Sequence, residues 1–303
     1  MKEIKKIDMH AHVIYHPDLV PKLQITGYRM LNAEELLEKY EKLNIEAGVL
    51  LPIVSPEGQW CQITTEDSYL SVRERPESFY WFCNVDPRAS INDKDADLCY
   101  IIEHYKAMGA RGLGELTSNL YADDPKMLNL FASCVECDMP VTIPVSPKPN
   151  FNYGIVDEIG LPRIERVLKK FPDLKLIGHS QPFWAEMSAD LTEEMRNDYP
   201  QGKVIEGRLP KLMREYGNLY CDLSARSGAY ALMRDKEYAA RFIEEFADRI
   251  FYACDFCAIT NDHQFEFDKF LDEMVADGYI SLENYKKIVR ENALKLLNRG
   301  ERA

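Results

Sequence analysis

The segment IKKIDMHAH, residues 4–12, is the stretch from which the fold can be worked out. It is a short apolar run that predicts a β-strand, and it ends in two histidines. Side chains two residues apart on a strand point to the same side, so His10 and His12 can hold one cation together. Neutral imidazoles suit zinc or another borderline divalent metal. Asp8 shares that side one layer deeper, where it can orient a histidine or bind the backbone of the sheet.

Seven further apolar runs predict strands, and helical patterns separate them. Several runs are apolar almost throughout, which is typical of strands buried on both faces. Strict alternation of eight strands with helices predicts an α/β fold, a (β/α)8 TIM barrel of parallel strands. The predicted strands are 4–10, 47–52, 80–85, 112–116, 140–144, 175–179, 219–223 and 250–254, and the helical patterns include one capped by Asn32 and others at 93–108, 158–171 and 233–246.

The sequence predicts one domain over residues 1–303, because it contains no linker, repeat or low-complexity tract. Extended loops are expected after the fifth and sixth strands. Residues 146–157 are rich in Pro, Asn and Gly, and residues 180–218 are long enough to add a helix or two above the barrel mouth. The alternative, an open doubly wound sheet, would need a glycine-rich phosphate turn after a strand, and none is found.

Composition narrows the class of partner and the compartment. The net charge of −13 argues against nucleic acid, which needs a basic protein face. No apolar stretch approaches the roughly 18 residues of a membrane span, and the N-terminus lacks the apolar region of a signal peptide, so a cytoplasmic location is expected. The eight cysteines do not suggest a disulfide scaffold in a chain of 303 residues. A small-molecule substrate is the expected partner, and a homo-oligomer is compatible with the sequence.

Three more polar residues stand at the ends of predicted strands. His179 ends the sixth strand, Asp255 follows the eighth, and Glu115 stands near the end of the fourth. In a TIM barrel the loops after these strand ends build the active site. A carboxylate emerging there needs a metal, a cation or a proton to offset its desolvation. Each residue also has a structural interpretation, as a strand-end hydrogen-bonding group or a helix cap, but their shared position favours one site.

Taken together, these motifs resemble those of the amidohydrolase superfamily, in particular its amidohydrolase-2 branch of hydrolases, decarboxylases and hydratases. The resemblance covers essentially the whole chain: DxHxH at residues 8–12, then His179, Asp255 and a closing helix IVRENALKLL at residues 288–297. It implies a divalent metal, zinc most of all, on His10, His12 and Asp255. It also implies that Asp255 carries a proton from water to the leaving group, and that His179 donates a hydrogen bond to the carbonyl oxygen.

One position departs from that branch. Its members usually carry a metal-binding histidine at the end of strand five, where this chain has Pro144. Proline has no side-chain ligand atom, so Glu115, on the neighbouring strand, is the expected substitute, with a merely hydrogen-bonded carboxylate as the alternative. Two other solutions are a site that binds metal weakly and a site that works without metal. The second is found in a lactonase of the superfamily that uses the HxH pair, a histidine and an aspartate.

The function predicted from this resemblance is metal-dependent hydrolysis of a C–N or C–O bond in a small, carboxylated amide, lactone or ester. The same constellation serves decarboxylases and hydratases, and a degenerate barrel that only binds a ligand is the non-enzyme alternative. Arg226, after the seventh strand, could bind a substrate carboxylate through two hydrogen bonds. Trp60, Gln181 and Trp184 lie in loops that could line the pocket, although aromatic residues in long loops usually anchor those loops.

Overall fold

The computed structural model describes residues 3–23, 27–58 and 62–297, and within them the backbone forms eight short strands. All strand pairs are parallel. Hydrogen-bonded neighbours follow the order β1-β2-β3 in one sheet and β5-β4-β6-β7-β8 in the other. The strands are β1 (Lys6–Ala11), β2 (Ile45–Leu50), β3 (Phe79–Trp81), β4 (Val141–Ser146), β5 (Ile155–Val156), β6 (Leu176–His179), β7 (Leu219–Asp222) and β8 (Ile250–Phe251).

Isolated parallel bridges join the two sheets into one barrel. Leu113 bridges to Cys83 on one side and to Val141 on the other, which connects the β3 side to β4. Ala11 bridges to Phe256, which connects β1 to the segment after β8. The chain therefore forms the closed α/β barrel that the alternation of strands and helices predicted, and not an open sheet.

The fourth predicted strand is the one that differs most from the structure. Residues 112–116 form only the bridge at Leu113, because Gly114 adopts a φ of 136°, which lies outside the strand region. The additional strand β5 lies in the segment predicted as a loop after the fifth strand. It pairs with the end of β4 over two residues only, too few to produce a recognisable periodic pattern.

Helices fill the intervals between the strands, with short 3₁₀ turns at Pro17–Leu19 and Ala247–Arg249 and a π-helical turn at Lys287–Glu291. The α-helices are α1 (Ala33–Leu43), α2 (Thr65–Glu74), α3 (Cys99–Ala107), α4 (Pro125–Glu136), α5 (Pro162–Lys170), α6 (Gln181–Ala185), α7 (Arg208–Glu215), α8 (Ala225–Met233), α9 (Lys236–Phe246), α10 (Gln264–Ala276), α11 (Leu282–Lys286) and α12 (Asn292–Leu297).

Local sequence signals explain several helix boundaries. The Asn32 side chain accepts from the Glu35 N–H while the Glu35 carboxylate accepts from the Asn32 N–H, so the predicted cap of α1 is confirmed. The helix predicted over 233–246 is present as α9, but it begins three residues later, at Lys236, because the Asp235 side chain caps it. The long segment after β6 contributes α6 and α7, as its length predicted.

The core lies in and around the barrel wall. Every residue of β1, β4 and β6 is buried, as expected for strands covered on both faces. Cys134 and Cys137 are buried free thiols that pack in this core. In the described part of the chain, no helix is both long enough and apolar enough to cross a membrane.

Candidate metal centre and active site

The carboxyl end of β1 places two imidazoles side by side. His10 lies in β1, His12 follows it closely, both are almost completely buried, and their Nε2 atoms are 3.0 Å apart. Asp8 lies one layer deeper, where it accepts from the main-chain N–H of His10 at 3.0 Å and of Cys254 at 2.8 Å. Asp8 therefore binds backbone and fastens β1 to the segment after β8, and it does not orient an imidazole ring.

Acceptors behind these two rings determine which nitrogen carries the proton. The Nδ1–H of His10 donates to Asp222 Oδ2 at 3.0 Å, and the Nδ1–H of His12 donates to the main-chain oxygen of Leu51 at 2.8 Å. We assign the protons to Nδ1 because neither a carboxylate nor a carbonyl oxygen can donate. Each Nε2 is then left with a lone pair facing the other ring, which is the arrangement that second-layer acceptors give to metal-binding histidines.

His179 joins the cluster from the end of β6. Its Nδ1–H donates to Ser224 Oγ at 3.1 Å, and the Ser224 hydroxyl donates in turn to Asp222. Its Nε2 lies 2.8 Å from Glu115 Oε1. Asp222 thus acts directly on His10 and, through Ser224, on His179.

Glu115 reaches the cluster because the residue before it is glycine. A Cβ on Gly114 would lie 2.7 Å from the main-chain oxygen of Thr142, so no other residue fits there without a shift. The Glu115 carboxylate is buried, and its Oε2 lies 3.4 Å from His12 Nε2 and 3.8 Å from His10 Nε2. The backbone at Gly114 therefore brings the carboxylate against both rings.

Pro144 occupies the position where a histidine was expected. It pairs in register with His179 across β4 and β6. Glu115 contacts the same His179 through its Oε1, at 2.8 Å. The expected substitute for the absent histidine is therefore present in the cluster.

Asp255 faces the cluster from beyond β8 and remains partly open. Its side chain is 22% exposed, and its Oδ1 lies 3.4 Å from His12 Nε2 and 3.9 Å from His10 Nε2. Its φ of 56° is in the left-handed region, which is uncommon for residues other than glycine. Backbone strain of this kind persists where the surrounding structure holds it, often at functional sites.

The spacing of the donor atoms fits a divalent metal. Metal–nitrogen distances of about 2.0–2.1 Å and tetrahedral angles place neighbouring donor atoms roughly 3.3 Å apart. His12 Nε2 lies 3.0 Å from His10 Nε2, 3.4 Å from Glu115 Oε2 and 3.4 Å from Asp255 Oδ1. Imidazole and carboxylate donors of this kind suit zinc and manganese. Two overlapping groups of donor atoms lie close enough together to hold one ion: His10 with His12 and Asp255, and His10 with Glu115 and His179. The expected ligands His10, His12 and Asp255 form the first group, and Glu115 belongs to the second.

The ionised carboxylates of the cluster favour the binding of such a cation. Burial alone would raise the pKa of Glu115, but hydrogen bonds from His10, His12 and His179, when each ring carries a second proton on Nε2, hold that pKa well below its ordinary value. Burial would lower the pKa of His12, but hydrogen bonds to Asp255 and Glu115 raise it to about 9. The ionised carboxylates thus draw positive charge to this space. Protons on the imidazoles supply that charge, and a divalent cation would supply it equally well.

A cavity opens beside the cluster. Its polar lining consists of His12, Glu115, Tyr153 and Asp255. Its apolar lining consists of Leu23, Met30, Ile53 and Cys257. No lysine or arginine is among the described residues that line it.

The residues expected to bind substrate do not line this cavity. Trp184 is buried and donates from Nε1 to the main-chain oxygen of Asp222 at 3.1 Å, which anchors its loop to the end of β7. Gln181 donates to the Tyr199 hydroxyl at 3.1 Å and lines a separate surface pocket with Trp184. Arg226 is exposed in α8. Trp60 lies outside the described residues.

Three site residues were not predicted from the sequence. Asp222 ends an apolar strand and Asp255 follows one, so a strand-end carboxylate was visible in the sequence at both positions. Ser224 comes two residues later, and a serine in a loop carries no distinguishing signal. Tyr153 lines the cavity from the loop after β4, where burial and the nearby charges of Glu115 and Asp255 raise its pKa well above the ordinary value. Its phenol therefore keeps its proton.

Comparison with known proteins places the whole chain in one family. The family model described as Amidohydrolase matches residues 7–299. A search of curated proteins finds no match.

Solved structures with the same fold cover nearly the full chain. An uncharacterised TIM-barrel protein from Bordetella bronchiseptica is 18% identical with a TM-score of 0.64, covering 97% of this chain and 98% of its own. A probable 2-pyrone-4,6-dicarboxylic acid hydrolase from Acinetobacter baumannii, with citric acid bound, is 11% identical with a TM-score of 0.59, covering 97% and 99%. A dihydroxybenzoic acid decarboxylase from a Polaromonas species, with manganese and 2-nitroresorcinol bound, is 15% identical with a TM-score of 0.58, covering 98% and 98%. At these identities the likeness shows the fold alone.

Proposed function

The chain belongs to the amidohydrolase family, in its amidohydrolase-2 branch, and from that premise we propose that it hydrolyses a C–O or C–N bond of a small lactone, ester or amide. Family membership makes the chain an enzyme. The observation that carries the proposal is the partly exposed Asp255 carboxylate, which borders the cavity 3.4 Å from His12 Nε2. It is a proton acceptor beside a candidate metal site.

The proposed metal ligands are His10, His12, Glu115 and Asp255, with zinc as the first candidate and manganese as the alternative. A divalent metal bound there would lower the pKa of water and polarise a carbonyl group. Both histidines offer an Nε2 lone pair, because their Nδ1–H groups donate to Asp222 and Leu51. The mononuclear site would hold one ion per chain.

The other polar residues have distinct proposed roles. Asp255 takes the proton of the attacking water and passes it to the leaving group, as a general base and then a general acid. Tyr153 keeps its phenol proton and donates a hydrogen bond to a substrate oxygen in the cavity. His179 was expected to donate to the carbonyl oxygen, but its Nε2 faces Glu115 at 2.8 Å. We assign it the role of holding that carboxylate in place.

The metal proposal is tested by the metal content of protein purified without chelator. We expect about one equivalent of divalent ion per chain, lost in the double variant His10→Ala/His12→Ala, because both imidazole ligands are gone. Equal content in the variant would contradict the assigned ligands. Full hydrolytic activity without any metal would support the metal-free lactonase alternative instead.

The reaction class is tested by a panel of small lactones, esters, amides and aromatic carboxylic acids. Acid release is followed with a pH indicator, and carbon dioxide is measured in parallel. We expect acid release from at least one lactone, ester or amide and its loss in Asp255→Asn. Carbon dioxide release without any such cleavage would assign the enzyme to the decarboxylases of its branch.

A further inference from the structure

The cavity is lined by negatively charged side chains, whereas a pocket that binds a carboxylate uses positively charged donors. Glu115 and Asp255 line it, and Asp222 lies directly behind His10. These three carboxylates carry three negative charges. A divalent cation bound among them would leave one negative charge uncompensated, so the site as a whole attracts no further anion.

Among the described residues of the cavity wall, no lysine or arginine balances this charge. The described lining residues include no lysine or arginine, and residues 24–26 (QIT) and 59–61 (QWC), which the structure does not describe, contain none either. The basic residues next in sequence to the lining are Lys22, which is exposed, and Arg29, whose guanidinium donates to both oxygens of Glu35 at 2.7 and 2.6 Å.

The remainder of the wall is apolar. Leu23, Met30, Ile53 and Cys257 line the cavity together with its polar residues, and Met30 and Ile53 are buried. A substrate carboxylate placed against these side chains would lose its hydration without gaining a hydrogen-bond donor, which is costly. An uncharged, apolar group would be stabilised there by burial.

We propose that the enzyme selects substrates without a carboxylate, namely neutral lactones, esters or amides with a small apolar body. This rests on the hydrolytic function proposed above and names the substrate class of that site. It departs from the expectation that Arg226 binds a substrate carboxylate, since Arg226 is exposed in α8 and is not part of the lining.

A matched pair of probes tests the preference. Methyl 4-acetoxybenzoate and 4-acetoxybenzoate carry the same acetyl ester, and the first has a methyl ester where the second has a carboxylate. Release of the phenol is followed, so that only cleavage of the acetyl ester is counted. We expect kcat/KM to be at least about tenfold higher for the neutral compound, because one uncompensated charge at close range has an effect of that order. Faster hydrolysis of the carboxylated compound would overturn the proposal and leave the hydrolytic function standing. If Arg226→Gln then removed this preference for the carboxylated compound, Arg226 would be identified as its cause.

Equilibrium binding gives a readout that needs no turnover. Methyl 4-hydroxybenzoate and 4-hydroxybenzoate are titrated calorimetrically into the zinc-supplemented protein, and the neutral compound should bind at least about tenfold more tightly. Equal or reversed affinities, including no detectable binding of either compound, would overturn the proposal. Failure of the proposed function is a separate result, the carbon dioxide release described above.

A variant of the wall tests the cause of the preference. Leu23 is half-buried at the edge of the lining, so a lysine there can lay its stem along the wall and keep its charge near the cavity. Leu23→Lys should raise the relative affinity for the carboxylated compound by about tenfold, whereas the neutral control Leu23→Gln should leave the preference unchanged. If Leu23→Lys melts well below the wild type, Met30→Lys against Met30→Gln replaces it. A folded lysine variant with the wild-type preference would overturn the proposal.

Discussion

The barrel floor and the long segment above it both bury carboxylates, but the pKa of the buried carboxyl group is lowered in the first and raised in the second. We use barrel floor for His10, His12, Glu115, His179 and Asp222, with Asp255 at its cavity edge, and upper segment for residues 180–218. In the floor, burial would raise the pKa of Asp222, but the charges of His179 and His10 lower it below its ordinary value. In the upper segment, burial raises the pKa of Glu186 to about 7.

The contrast comes from the partners and not from the depth of burial. Glu186 accepts one main-chain N–H, from Gly160 at 2.8 Å, and its closest guanidinium nitrogen, on Arg196, is 3.9 Å away. Arg196 instead donates from Nη1 to the main-chain oxygens of Asp157 at 2.9 Å and Pro147 at 3.3 Å. The upper segment therefore uses its buried charge to fasten the loop that carries Tyr153, whereas the floor keeps its carboxylates ionised for chemistry.

The largest effect is expected at the cavity edge of the floor. Asp255→Asn keeps the size and one coordinating oxygen but removes the basic carboxylate, so turnover should fall by about 10²-fold or more. Metal content should fall less than in the histidine double variant, because the two imidazole ligands remain. Steady-state kinetics and metal analysis on the same preparations measure both. Near-normal turnover would mean that Asp255 is not the proton acceptor.

Asp222→Asn tests whether the buried part of the floor organises the rings. The variant can still accept from His10 Nδ1–H, but it loses the charge that supports both His10 and, through Ser224, His179. Metal affinity should weaken by about 10- to 100-fold, as for other second-layer partners of metal-bound histidines. Competition with a chelator gives the affinity. The matched change in the upper segment, Glu186→Gln, should leave metal affinity unchanged, and equal effects of the two changes would contradict the comparison.

The sequence predicted the floor better than the upper segment. Apolar runs were sufficient to predict the barrel, and the same-side spacing of His10 and His12 predicted that their rings lie together, since strand periodicity is local. A full strand was predicted over residues 112–116, but only Leu113 forms a bridge there, because Gly114 has a φ outside the strand region. Asp222 carried the same strand-end signal as Asp255, but only the packed barrel shows that it faces the back of His10.

The residues that line the cavity were harder to predict, because loops have no periodic pattern. Trp184 and Gln181 come just after β6, yet the backbone turns them towards β7 and the upper segment. Tyr153, in a segment that the sequence marked only as a loop, is brought to the cavity by contacts far away in the chain. Arg196, 43 positions later in the sequence, fastens that loop at both ends.

Tyr153→Phe is expected to have an intermediate effect, since Tyr153 lies where the two regions meet. Loss of one neutral hydrogen bond to a substrate oxygen should lower kcat/KM by about tenfold. Metal content should not change. The control is Tyr199→Phe, which removes the hydroxyl that accepts from Gln181 in the upper segment and should alter kcat/KM less than about twofold. If both variants behave alike, Tyr153 does not contact the substrate.

The smallest effect on turnover, within about twofold, is expected for Glu186→Gln, whose consequence is for stability. The folded-state pKa of Glu186, about 7, exceeds the ordinary 4.5, so the folded protein holds a proton that the unfolded chain releases in this interval. The contribution of this proton to the free energy of unfolding is complete below about pH 4.5 and is lost as the pH rises through about 7. At higher pH the loss is up to about 3 kcal/mol.

Glutamine keeps an acceptor for the Gly160 N–H and cannot ionise. Thermal melts should therefore show the variant to be more stable than the wild type at pH 8, with the difference narrowing towards pH 5. Glu193→Gln, a change at an exposed carboxylate 3.8 Å from Arg196, is the control. Its charge is a minor cause of the raised pKa of Glu186, after burial, so most of the pH dependence should remain. Parallel stability curves for the wild type and Glu186→Gln would show that Glu186 stays ionised, and that the upper segment compensates its buried charge as fully as the floor does.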